Sequence, residues 1–238
     1  KYTWDLSTIY QNDKEFYQDI EKCKDQLNEL ASYQNHLCDD FDHFYSFLKT
    51  KDEMSIILNK AYCYAHLNCD VEPQNQQYQK MMATVMTLLQ DTSVKLVYVD
   101  NEICKNESKV NHYLEDPRLQ SYQYSISQVL KYKPHLLDDQ QETLIAKVDG
   151  LADISEQVFD SLRLEYEDVE VNGKKETLNN ATLNEFLKNK DINVRKQAYH
   201  HFFKEYKRFE NTFATTLAGV MKKDAFYSDV RHFDSPLA

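Results

Sequence analysis

At 238 residues the chain is long enough to bury a sizeable core and to hold one or two domains. A formal charge of −11 repels nucleic-acid phosphates and anionic membranes, and no apolar run approaches the roughly 20 residues that span a bilayer. Only three Gly and four Pro, against 42% hydrophobic residues, predict mostly helix with few loops.

Residues 1 to about 100 read as successive amphipathic helices. Asp13 is placed to cap a helix that carries Phe16, Ile20, Cys23, Leu27 and Leu30 on one face. Asp40 or Asp42 opens a second, with Phe44, Phe47 and Leu48 inward. Asp52 starts a third, through Ile56, Leu58, Ala61, Tyr62, Ala65 and Leu67. After the break at Val71-Glu72-Pro73, a long helix carries Tyr78, Met81, Met82, Val85, Leu88 and Leu89. Short breaks between such elements favour antiparallel neighbours, hence a bundle, and no period of about 30 to 50 residues marks a solenoid.

Between about 100 and 162, Pro117 should end one helix or start another, and Lys133-Pro134 breaks the next. Asp138 or Asp139 then caps a helix with Leu144, Ile145 and Val148 inward. The one convincing strand pair follows, in LRLEYEDVEVNGKKETL. Leu162, Leu164 and Tyr166 alternate with charged residues, and Val169 and Val171 resume the alternation after Asp168. Asn172-Gly173 supplies two positions that tolerate positive φ, as a two-residue hairpin turn needs. Beyond it, Asp191 is an N-cap candidate for a long helix with Ala198, Phe202, Tyr206, Phe209, Phe213, Leu217 and Val220 on one face. Its apolar surface, widened by Phe203 and Met221, exceeds a single packed stripe and predicts self-association of the isolated chain.

The stretch DINVRKQAYHHFFKEYKRFENTFATTLAGVMKKDAFYSDVRHFDSPL resembles the opening of the catalytic region of oligoendopeptidase F, a thimet-oligopeptidase-like zinc metallopeptidase. The pattern rests on Arg195, Ala198, Tyr199, Asn211, Thr212, Ala214, Thr216, Leu217, Gly219, Lys223, Tyr227 and Arg231. Upstream, YTWDLSTIYQND resembles that family's W-D-L start, and YCYAHLNCDVEPQNQQYQ resembles its Y-A-H-L helix. The resemblance implies an enzyme that hydrolyses short peptides in a deep channel between helical lobes. It also implies zinc held by two His of an H-E-x-x-H helix and a Glu on a later helix, with the motif's own Glu as general base. None of the eight histidines begins that motif. The chain is therefore expected to be the N-terminal part of a longer enzyme, inactive by itself, with no catalytic, cofactor-binding or metal-binding residue of its own.

Other constellations read as structure. Cys63, His66 and Cys69 would sweep around roughly a third of a helix, too spread for one ion. His200 and His201 diverge by about 100° on a helix, one toward the core and one toward solvent. Asp39-Asp40 and Asp138-Asp139 fit helix caps, while Arg195, Arg208 and Arg231 fit surface ion pairs or a peptide carboxylate. There is no Gly-rich phosphate loop and no G-x-S-x-G elbow. The hairpin edge has the best functional case, since an exposed strand can take up an extended peptide by main-chain hydrogen bonding; a small sheet near the cleft of that family resembles such a platform, and a purely structural hairpin packed on helices is the alternative. The odd count of five cysteines, without framework spacing, predicts a reduced, cytoplasmic setting.

The expected fold is thus mostly α, with multi-helix bundle lobes and one small β-hairpin leading into an all-helical catalytic region. Its divisions are an N-terminal helical region (1–100), a small helical domain (101–162), and the hairpin with the first catalytic-region helices (163–238). Short peptides are the expected partners, with no nucleic acid and no membrane. A non-enzymatic helical scaffold fits composition and periodicity equally well; only the resemblance separates the two.

Overall fold

A computed structural model describes residues 5–237. Trp4, on which the W-D-L start rests, and Ala238 lie outside the described residues. The chain is mostly helical with one two-stranded antiparallel hairpin, and it divides into two compact units, residues 1–150 and 151–238.

Unit 1 is a helical bundle. Helix α1 (Asp13–Ala31) buries Phe16, Ile20, Cys23, Leu27 and Leu30, the apolar face read from the sequence. Its cap is Asn12 rather than Asp13: the Asn12 side chain accepts from Glu15 N–H at 3.2 Å, and the Glu15 carboxylate reaches back to Gln11 N–H at 3.0 Å. Helix α2 runs unbroken from Phe41 to Val71, so the expected break before Asp52 does not occur. Nothing between Lys49 and Glu53 stops a helix, and an aspartate inside one costs only tenths of a kcal/mol, roughly, once the element is packed. The continuous helix turns Ile56 outward, 69% exposed, and Met54, Leu58, Ala61 and Ala65 inward. Asp40 caps it by accepting from His43 N–H at 2.9 Å.

Helix α3 (Gln76–Lys95) is capped by Asn75 and packs against α2, with Met81, Val85 and Leu88 buried. Helices α4 (Tyr98–Lys105), α5 (Glu107–Tyr113), α6 (Gln123–Tyr132) and α7 (Asp139–Ala152) follow, with 3-10 turns at Pro117 and Pro134. Tyr98 is fully buried and donates its hydroxyl to Leu30 O at 2.6 Å. On α7, Leu144 points outward instead of inward. The buried positions are Glu142, Ile145 and Ala146, a stripe set by Glu142, whose carboxylate accepts from Leu137 N–H at 3.0 Å.

Unit 2 contains α8 (Ile154–Ser161), the hairpin β1 (Val169–Val171) and β2 (Lys174–Glu176), then α9 (Leu183–Leu187), α10 (Ile192–Arg208) and α11 (Glu210–Val230). Asn172 (φ 52°) and Gly173 (φ 78°) form the turn, both in the left-handed region as a type I′ hairpin demands. The ladder is shorter than the alternation suggests. Residues 162–168 lie outside the ladder, and the Glu167 and Asp168 carbonyls accept from His201 Nδ1 at 3.2 and 3.0 Å. The long helix beginning after Asp191 is in fact two, α10 and α11, divided at Phe209 (φ −100°, ψ 12°), whose N–H is shared between Glu205 O and Tyr206 O. The core here is small: Val169, Leu178, Phe186, Val194, Ala198 and Phe202, with Tyr166 stacked on Phe202 at 4.6 Å.

Candidate functional site

The residues singled out in the sequence are not brought together. Cys63 is exposed on α2, His66 pairs with Asp70 at 3.1 Å, and Cys69 is half-buried with its thiol pushed up by burial. Among the described residues, no group of three His, Cys, Asp or Glu side chains is placed to hold a metal ion. His200 lies exposed beside Tyr199, whereas His201 fastens α10 to the chain ahead of β1. Asp40 and Asp138 are caps; their neighbours Asp39 and Asp139 engage His36 and Asn101. Arg195 donates to Asn189 O and Lys190 O at 2.7 and 2.9 Å, closing the turn ahead of its own helix, and Arg208 pairs with Glu205 at 2.7 Å.

A cavity of about 860 Å³ lies in unit 1, lined by polar and charged side chains such as Asp40, His43, His112 and Arg118; a more apolar concave surface lies in unit 2, where side chains distant in sequence converge. Gly219 makes this possible. It lets α11 approach α8 so closely that a Cβ there would collide with the Ser155 hydroxyl. Beside this contact lie two cavities, of about 830 and 630 Å³, which share Phe159, Tyr206 and Phe213. Phe159 meets Phe213 at 5.7 Å, and Tyr206 stacks on Phe213 at 5.4 Å, forming an aromatic floor. One wall is the extended run Leu162–Tyr166, whose alternation sets Leu162, Leu164 and Tyr166 half-buried. Its backbone groups from Arg163 to Tyr166 carry no hydrogen bond within the described residues. The opposite wall is the loop Thr177–Ala181, pinned where Asn179 Oδ1 accepts from Ala181 and Thr182 N–H at 2.9 Å. Burial pushes the Tyr166 phenol up to about 12, so it stays neutral at ordinary pH.

Such a groove offers an apolar floor beside main-chain groups that carry no hydrogen bond, the pairing by which a polypeptide segment can be held. It contains no nucleophile–base pair. The sequence already set Tyr206 and Phe213 on one helical face, but the contribution of Phe159 from α8 follows from tertiary packing and had no local signal.

A family model described as Oligopeptidase F matches residues 105–164. Among curated proteins, the chain is 28% identical to Oligopeptidase PepF of Bacillus subtilis, over 98% of this chain and 36% of that protein. It is 30% identical to an oligoendopeptidase F homolog of Borreliella burgdorferi, over 98% of this chain and 39% of that one. The crystal structure of oligoendopeptidase-F from Enterococcus faecium superimposes with a TM-score of 0.83 at 25% identity, covering 95% of this chain and 46% of that chain. The chain thus spans less than half the length of the relatives it matches.

Proposed function

We propose that this chain, similar from end to end to oligoendopeptidases F, forms part of a peptidase that hydrolyses short peptides, and that its unit 2 groove lies along the path of the substrate. The observation that carries the reading is the joint agreement of sequence and fold over 95% of the chain with an oligoendopeptidase-F structure. The groove supports it physically: main-chain groups free of hydrogen bonds beside an aromatic floor suit a peptide segment.

Zinc is the metal the resemblance implies, and the residues here do not fit it. No H-E-x-x-H segment occurs in the sequence, and no metal-holding group exists among the described residues. In this reading the zinc ligands and the general base lie outside these 238 residues, which supply binding surface and not the bond-breaking step. The divisions at about 100 and 162 belong to the same proposal, the hairpin opening the catalytic region. A cytoplasmic setting is proposed from the cysteine usage.

The test is a quenched-fluorescence peptide assay with metal analysis. The chain by itself should carry no stoichiometric zinc and show no turnover, and a chain extended by the rest of an oligoendopeptidase F should show both. Zinc-dependent turnover by these 238 residues alone would overturn the assignment of roles.

A further inference from the structure

The carboxylates around the groove carry more information than its apolar floor. Glu156, Asp160 and Glu165 are among the residues that line the two cavities, and no Lys, Arg or His is. Three other acidic side chains of unit 2 are drawn to cations: Glu167 to Lys204 at 2.5 Å, Glu205 to Arg208 at 2.7 Å, Asp153 to Lys223 at 3.4 Å. The three groove carboxylates enter no ion pair among the described residues. They stand at the rim of a floor where Phe159 is 52% and Leu217 62% exposed.

We infer that this groove selects peptides presenting a basic residue beside a bulky apolar one. The inference rests on the peptide reading above and adds to it a chemical preference. Its physical basis is charge complementarity. A guanidinium or ammonium laid at the rim meets unpaired carboxylates and no competing protein cation, while its apolar neighbour covers the aromatic floor. A glutamate at the same place meets three like charges, which raises the discrimination by exclusion as well as by attraction.

The experiment is a fluorescence-anisotropy titration of the whole chain with three labelled alanine-based peptides. Each carries one leucine, next to arginine, glutamine or glutamate. Affinity should fall in that order, with the arginine peptide roughly tenfold tighter than the glutamine one, an interval set by two partly exposed charge contacts. Added salt should narrow the interval, because the contacts lie at the surface. Paired substitution Glu156→Gln and Asp160→Asn, checked for folding by circular dichroism, should bring the arginine-to-glutamine ratio close to one. If all three peptides bind alike, the peptide reading stands and the charge preference is overturned. If none binds, or light scattering shows that a second copy fills the groove, the peptide reading of this surface falls with it.

Discussion

The two units solve the same packing problem to different degrees. Unit 1 threads its apolar residues into one continuous core, from Phe16 and Leu30 on α1 through Phe47 and Ala61 on α2 to Val85, Tyr98 and Ile126. Among the described residues, the apolar side chains that unit 2 buries are the small cluster around Val169 and Phe202, and Phe159, Phe203, Leu217, Met221 and Phe226 are about half-exposed or more. Charge divides in the same way. Residues 1–150 carry 24 acidic against 15 basic side chains, whereas residues 151–238 carry 15 against 13. Unit 1 is thus the more acidic and unit 2 the nearer to neutral, with more of its large apolar side chains exposed. The lesson is that exposed apolar area in a folded unit marks where to look for function.

The largest effect that separates the units should come from aromatic truncation. Phe47→Ala removes a fully buried ring flanked by Tyr33 and Tyr98 and is expected to cost about 3–5 kcal/mol. Phe213→Ala, at a half-buried ring, should cost about 1 kcal/mol or less. Denaturant titrations of both variants measure the gap; equal losses would mean that unit 2 packs as tightly as unit 1.

A second contrast lies in the backbone. Glu102, buried on α4, accepts from the N–H groups of Asn35 and Leu37, and Asn35 sits at φ 71°. Glu102→Ala strands both donors and should destabilise unit 1 by about 1–3 kcal/mol. Gly173→Val, in the hairpin of unit 2, forces a β-branched residue to φ 78° and should cost a similar 1–3 kcal/mol, roughly, although nothing lies near enough to clash. An unchanged melting curve for that variant would show that the turn relaxes to another type.

Thiol chemistry sharpens the same comparison without mutation. Burial pushes the Cys23 thiol up to about 11 and Cys38 up to about 12, so neither forms thiolate at neutral pH. An alkylating reagent should label exposed Cys63 quickly and leave Cys23 and Cys38 unlabelled until the chain unfolds. Fast labelling of either buried thiol would show that unit 1 opens.

The smallest effect should be that of acid on the surface pairs. Hydrogen bonds from Arg118 hold the Asp116 carboxyl below its ordinary value, and Lys204 does the same for Glu167. A depressed carboxylate contributes stability that is fully present at neutral pH and is lost as pH falls through its folded-state value. Asp116→Asn should therefore lower the melting temperature slightly at pH 7 and not at all well below the ordinary carboxylate range. A difference that persists in strong acid would contradict the pairing.

Much of the fold was legible because it is written locally. The spacing of Phe16, Ile20, Cys23, Leu27 and Leu30 specifies α1 outright, and Asn172-Gly173 specifies the turn. What failed had no local signature. Aspartate at 52 looks like a cap whether or not the helix is continuous, and apolar spacing points Leu144 inward where Glu142, accepting from Leu137 N–H, is buried instead. The division at Phe209 interrupts an apolar face that is uniform in sequence. The groove was least legible. Its floor joins Phe159 to Phe213 across 54 positions, and its wall is a run whose alternation predicts a strand where the ladder does not reach.

The most direct test of the account is residue-resolved NMR of the chain while a short leucine- and arginine-containing peptide is added. The account predicts chemical-shift changes gathered at Phe159, Leu164, Tyr206 and Phe213, with the backbone N–H groups of residues 163–166 newly protected from exchange. Shifts confined to unit 1, or none at saturating peptide, would contradict it.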